Sequence, residues 1–298
     1  MRIVTLLPSA TEIVAALGAE SDLVGISHSC DYPSTIANLP QVTSTTLPVS
    51  ASSAAIDAAV REELSSEQSL YQLDIATLAA LRPDVIVSQR LCDVCAVATG
   101  HVVEALAQLP TKPMLVDLSP MRLADIFADV HAVGRAIGRE SEAAQLVASM
   151  EQRMMSVAVR TEEIAPSLRP AVGFLEWLDP PFSGGHWNPE LIEIAGGRSV
   201  LGAPGEPSQT LTWDDVAAAD PQVLFVAVCG YDERRAQVDV AALARTEPWS
   251  SLQAVRSGRV YVANGDAYFA RPGPRVIDGL DYLAHTLHPS IHAVTALA

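Results

Sequence analysis

Two thiols stand three residues apart in "SQRLCDVCAV" (88–97), in a chain with only four cysteines among its 298 residues. A C-x-x-C pair can be a pair of small buried hydrophobes, a redox dithiol or half of a metal site. The surroundings expected of a thioredoxin-type pair are missing. Cys30 and Cys229 each follow an apolar run, as Cys92 and Cys95 do. If all four face one cleft, their thiolates can close a zinc site or hold an iron–sulfur cluster. Cys30, Cys92 and Cys95 alone would leave an open position for a ligand. His28 lies two residues before Cys30, on the same face of a strand continuation, where it can serve as a fourth ligand or simply be hydrogen-bonded in a loop. A Cys30 nucleophile with His28 as base is a further reading that no motif supports. The residues alone leave these readings open.

Such groups must be positioned by regular elements. "RIVTLL", "LVGIS", "PDVIVSQ" and "PMLVDL" read as buried strands of a mostly parallel sheet. "PSATEIVAALG" reads as a helix with Ser9 as N-cap, Glu12 completing a capping box and Gly18 ending it. From Leu123 to about Val159 apolar residues recur at helical spacing. Ser119 is the expected N-cap there, with Pro120 at the first helical position. Some 40 residues would make a helix of roughly 60 Å, bent or split at Gly134 or Gly138. Strands resume with "AVGFLEW", "QVLFVAVC" and "RVYVANG". The later set echoes the earlier one. "EIVAALGAESDLVG" (12–25) resembles "ELIEIAGGRSVLG" (190–202), and "LDIATLAALRPDVIVS" (73–88) resembles "TWDDVAAADPQVLFVA" (212–227). The pattern predicts an α/β chain of two Rossmann-like lobes, 1–118 and 170–298, joined by a backbone helix at 119–169, with a ligand cleft between the lobes.

Ligands of open α/β sheets gather at the carboxyl ends of the strands. The segments there supply the expected ligand-binding residues: Ser9, Thr11, His28, Trp177, Phe182, Gly185, His186, Trp187, Tyr231, Tyr268 and Arg271. The aromatics offer flat apolar walls with polar tips. Gly184 and Gly185 allow close backbone approach. Arg271 and Arg275 can hold a carboxylate or phosphate in forked geometry. Ser9 and Thr11 are expected to serve the helix cap first.

Bulk properties exclude some function classes. The net charge of −16 argues against nucleic acid and anionic lipid as partners. The chain is 49% hydrophobic, yet no run of about 18 apolar residues exists, so no membrane span is expected. The N-terminus was weighed as a secretory signal, but Pro8 and Glu12 interrupt the apolar core that such a segment needs. A cytoplasmic protein with reduced thiols is the expectation.

"LLPSATEIVAALG", "GISHSCDYP", "LRPDVIVSQ", "DPPFSGGHWNPELIEIAGG" and "SGRVYVANG", in that order, resemble the helical-backbone (class III) substrate-binding proteins of ABC transporters, cobalamin-binding branch. The resemblance covers nearly the whole chain. It implies a non-catalytic binding protein for a corrinoid (cobalamin) or a related metal-tetrapyrrole, with His28 or a cysteine as axial ligand to the metal. Relatives of this fold also take haem, siderophores and metals. Two departures from the family pattern are expected: a start directly on folded structure, without a signal or lipoprotein segment, and the cleft cysteines. The implied partner is an ABC transporter or a corrinoid-using enzyme. The alternative is a metal or iron–sulfur protein built on Cys30, Cys92 and Cys95, with or without Cys229, whose cluster could activate a small substrate as an enzyme does.

Overall fold

Strands form where apolar, β-branched runs are buried on both faces. In the computed structural model, which describes residues 1–65, 70–89, 106 and 109–292, the first such runs are β1 (Ile3–Thr5) and β2 (Leu23–Gly25), with α1 (Pro8–Ala16) between them. Next come β3 (Thr43–Thr45), α2 (Ser53–Ser65), β4 (Tyr71–Leu73), α3 (Ile75–Leu81), β5 (Val85–Gln89) and β6 (Met114–Leu118). The sheet has the order β2-β1-β5-β6 and every pairing in it is parallel. All five residues of β5 are buried, as a central parallel strand requires. β3 and β4 form a separate antiparallel pair. Val4, Leu6, Val42, Leu78 and Ile86 make the core under this sheet.

Two helices follow, α4 (Leu123–Ile137) and α5 (Glu140–Glu162). The single long helix expected from periodicity is therefore two. The break falls at Gly138, whose φ of +69° lies in the left-handed region that ends helices at glycine. Gly134 stays helical; a Cβ there would meet the Ala143 methyl at 2.5 Å, so its smallness lets α5 turn back close by. Ser119 and Pro120 lie ahead of the helix, which starts at Leu123, so the expected cap there is not made. The α1 cap also differs. Pro8 takes the first helical position, Leu7 is the N-cap without a side-chain bond, and Ser9 sits inside the helix. Proline's preset φ suits that first position, and it displaces serine from the cap by one residue. Gly18 does end the helix, at φ +70°.

The later elements are β7 (Ala171–Leu178), β8 (Pro181–Ser183), α6 (Asn188–Ile194), β9 (Arg198–Ser199), α7 (Trp213–Ala219), β10 (Val223–Val226), α8 (Glu233–Leu243), α9 (Gln253–Arg256), β11 (Val260–Val262), α10 (Gly265–Tyr268) and α11 (Val276–Leu287). Their sheet runs β11-β10-β7-β8, with β9 also on β7; β8 alone is antiparallel. Phe174, Phe225 and Phe269 pack ring to ring at its centre, with centroids 5.2–5.5 Å apart. α7 opens with a complete capping box between Thr212 and Asp215.

The chain divides into two compact units. One comprises residues 1–51, 55–120 and 124–149; the other comprises 52–54, 121–123 and 150–298. Each holds its own sheet. The architecture is the α/β fold read from the sequence. No described helix is long and apolar enough to cross a membrane.

Candidate functional site

In the first unit, hydroxyls and one thiol collect at the carboxyl ends of β1 and β2. Thr5 Oγ1 and Thr11 Oγ1 are 2.6 Å apart, and Thr11 Oγ1 lies 3.0 Å from Cys30 Sγ. Thr11 and Cys30 are buried, and so is Ser9, whose hydroxyl has no hydrogen-bond partner among the described residues. His28 is half-buried a few residues on. Thr43 Oγ1 donates to Ser27 Oγ at 3.1 Å, so its own proton is used. It therefore accepts from the His28 backbone N–H at 3.0 Å and from His28 Nδ1 at 2.7 Å. This assigns the His28 proton to Nδ1 and leaves the lone pair on Nε2. Burial lowers the His28 pKa, so the ring is neutral at pH 7. The Tyr71 ring flanks it at 5.5 Å.

In the second unit the strand ends gather a different chemistry. Glu176 and Trp177 lie in the last three residues of β7, and Cys229 N–H donates to the Glu176 carbonyl at 3.0 Å. Trp177 and Tyr231 pack with centroids 5.4 Å apart, and the Arg235 guanidinium carbon sits 3.7 Å from the Tyr231 ring centre. Asp266 N–H donates to the Tyr231 carbonyl at 3.1 Å. The Asp266 carboxylate in turn accepts from both Nε and Nη2 of buried Arg271. The Arg271 fork is thus turned on a carboxylate of its own chain.

The loop "SGGHW" closes this edge. A Cβ on Gly185 would lie 2.3 Å from the Ser208 backbone nitrogen, so only glycine lets the two segments touch. His186 follows with φ +55°, a left-handed conformation for a non-glycine residue. It is held there by its N–H on the Glu206 carbonyl (2.7 Å) and by Gly205 N–H on its own carbonyl (2.9 Å). Its ring is half-buried beside Trp187 and has its pKa lowered by burial. Trp187 is buried, its indole N–H donating to the Phe269 carbonyl at 3.0 Å.

Glu176 is the residue that sequence reading passed over. Burial pushes its carboxyl pKa up, and the Gly185 N–H (3.3 Å), the Ser208 hydroxyl and the Asn188 side chain pull it part of the way back. A glutamate inside the otherwise apolar "AVGFLEW" strand was the available signal.

The expected ligand-binding residues therefore divide. His28, Trp177, Phe182 and His186 keep solvent-facing surface, whereas Ser9, Thr11, Gly185, Trp187, Tyr231, Tyr268 and Arg271 are buried. Of the expected metal ligands, Cys30 is buried and Cys229 half-buried, each in its own unit. Cys92 and Cys95 lie outside the described residues. Among the described residues no group of three or more His, Cys, Asp or Glu is arranged to hold a metal ion. A cavity of about 480 Å³ in the second unit is lined by residues including Asp232, Arg234, Asn264, Tyr268 and Tyr282. Tyr268 is the one expected ligand-binding residue that lines it.

Two α/β units, each with a parallel sheet and polar, aromatic loops at its strand ends, are the build of a bilobal solute-binding protein. The chain belongs to the periplasmic binding protein family, whose sequence profile matches residues 3–267. An uncharacterized ABC transporter substrate-binding lipoprotein of Bacillus subtilis is 22% identical over 97% of this chain and 80% of its own length. The vitamin B12-binding protein of Vibrio cholerae is 24% identical over 94% of this chain and 86% of its own. Among solved structures, the periplasmic vitamin B12 binding protein of Vibrio cholerae superimposes with a TM-score of 0.70 at 20% identity, covering 97% of this chain and 96% of that one. The periplasmic heme-binding protein of Roseiflexus sp. RS-1 gives 0.72 at 22% identity, covering 97% and 98%.

Proposed function

We infer that this chain is a binding protein for a flat, metal-containing tetrapyrrole, a corrinoid first and haem second, held by the loops at the carboxyl ends of its strands. The observation that carries the reading is His28. Its Nδ1–H is committed to Thr43, its ring is neutral, and Nε2 has no partner among the described residues. A hydrogen bond on one imidazole nitrogen that orients the other for a metal is the usual support of a histidine ligand. Trp177 and Phe182, cross-strand partners with surface still exposed, supply apolar faces suited to a macrocycle. Relatives named for vitamin B12 and for heme share the fold and support the ligand class.

The test is a visible-spectrum titration of purified protein with aquocobalamin and, separately, hemin. We expect retention of one of them on gel filtration at micromolar concentration, with a shifted metal-centred band. His28→Ala should abolish the band shift and weaken retention. Absence of retention for both ligands would reject the reading; retention with an unchanged shift in His28→Ala would remove His28 from it.

A further inference from the structure

The histidines near the C-terminus take no part in the proposed binding of a tetrapyrrole. Three lie within eight residues: His285 in the last turn of α11, His288 just after it, and His292 in the following turn. His292 is only 2% exposed, and its buried Nδ1 has no hydrogen-bond partner among the described residues. Its Nε2 lies 3.4 Å from the hydroxyl of Thr161, which is itself buried on α5. His285 Nδ1 donates to the His292 carbonyl at 2.8 Å. His288 Nε2 donates to the Gly196 carbonyl at 3.0 Å, in the loop between α6 and β9. Gly196 is at φ +87°, and a Cβ there would touch the His288 ring at 3.0 Å. The turn is thereby sewn to two other elements.

We propose that His292 is an acid-sensitive latch: its neutral ring seats the turn after α11 against α5, and protonation of that ring releases the turn. The physical reason lies in the ring's surroundings. An imidazolium carries N–H donors on both nitrogens, and the one on Nδ1 would have no acceptor among the described residues. Its charge would also be buried away from water. Among the described residues the groups that face it are mostly basic: Arg160 from α5, and His288 and His285 from α11 and its end, with Asp281 of α11 on the acidic side. Burial first, then Arg160 and His288, lower the pKa of His292. A base with a depressed folded-state pKa contributes stability that is full above its unfolded value, near 6.5, and is lost as pH falls below it. Because α11 packs on α6, which begins directly after Trp187, release would loosen the brace behind the "SGGHW" loop.

Hydrogen exchange resolved to the Ile291 and His292 amides, both bonded to the His288 carbonyl, provides the test. Expressed as protection factors, so that the intrinsic pH dependence of exchange cancels, protection should fall about tenfold or more between pH 7.5 and 5.0. In His292→Phe, which fills the site without a titrating group, it should change less than about twofold. Equal protection at both pH values in the native chain would overturn the proposal. So would a full acid loss in a His292→Phe variant that melts like the native chain. Should that variant not fold, the NMR titration of His292 in the native chain decides. A midpoint below the ordinary imidazole value that coincides with the loss of protection supports the latch; one at or above it overturns it.

Discussion

Asp129 shows how far one residue can depart from its free chemistry. It sits on α4, one turn after Asp125 and near Asp117 of β6. Burial, then repulsion from Asp125 and from Asp117, raises its pKa to about 7. An acid whose folded pKa is raised binds its proton more tightly in the fold. Stability is therefore present in acid and is lost as pH climbs from the unfolded value near 4 through about 7. Asp129→Asn removes the charge and keeps the shape. Because the site is partly open to solvent, the full shift overstates the effect, and a gain of roughly 1–2 kcal/mol at pH 8 is the expectation. Urea melts of both proteins at pH 4 and pH 8 check this. The gain should appear at pH 8 and vanish at pH 4. The same logic explains why Glu176 escaped notice while Trp187 was noticed for a different role. A side chain's type is visible in the sequence, but its solvation is not. Trp187 looked like a wall for a ligand, and its ring is spent on the bond to Phe269.

Elements obey rules that sequence states more openly. The α4–α5 break occurs at Gly138, with nothing within 4 Å of where a Cβ would stand. The cost of Gly138→Ala is therefore backbone strain alone, about 1 kcal/mol, and a thermal melt should show a small loss without change in the circular dichroism spectrum. Gly185→Ala is a different experiment. There the new methyl would collide with backbone at Ser208, so the loop must move. The expected loss is larger, roughly 1–3 kcal/mol, with His186 displaced from its left-handed conformation. Glycines that look alike in the sequence thus serve separate ends. The apolar runs predicted the strands well, since burial on both faces demands continuous hydrophobic residues. Ser9 does not cap α1 because Pro8 takes the first helical position, and Ser119 does not cap α4 because that helix begins four residues later, at Leu123.

For the whole molecule, a ligand that binds the folded chain and not the unfolded one stabilises it by mass action. At a free concentration of 100 times Kd this is about 2.7 kcal/mol. For a chain of this size that corresponds to a rise in Tm of several degrees, roughly 2–4 °C per kcal/mol. Aquocobalamin or hemin should produce such a rise, and His28→Ala should diminish it. Differential scanning fluorimetry with metal-free porphyrin as the control separates coordination from apolar burial. A rise of equal size with the metal-free ring would assign the affinity to the aromatic faces.

By itself, the sequence determined the alternation of strands and helices, the repeated βα build, the two glycines at which the long helical stretch could bend or split, and the loops that follow the strands. These follow from hydrophobic periodicity and backbone preference, which act between near neighbours. Tertiary structure alone decided which side chains in those loops still face outward and what state they are in. The neutral His28 with its committed Nδ1 depends on Thr43, fifteen residues away. The fate of the Arg271 fork depends on Asp266, and the strained His186 on Glu206 and Gly205. Solvation, tautomer and strain are properties of packed neighbours, and neighbours in space cannot be read from residues in line.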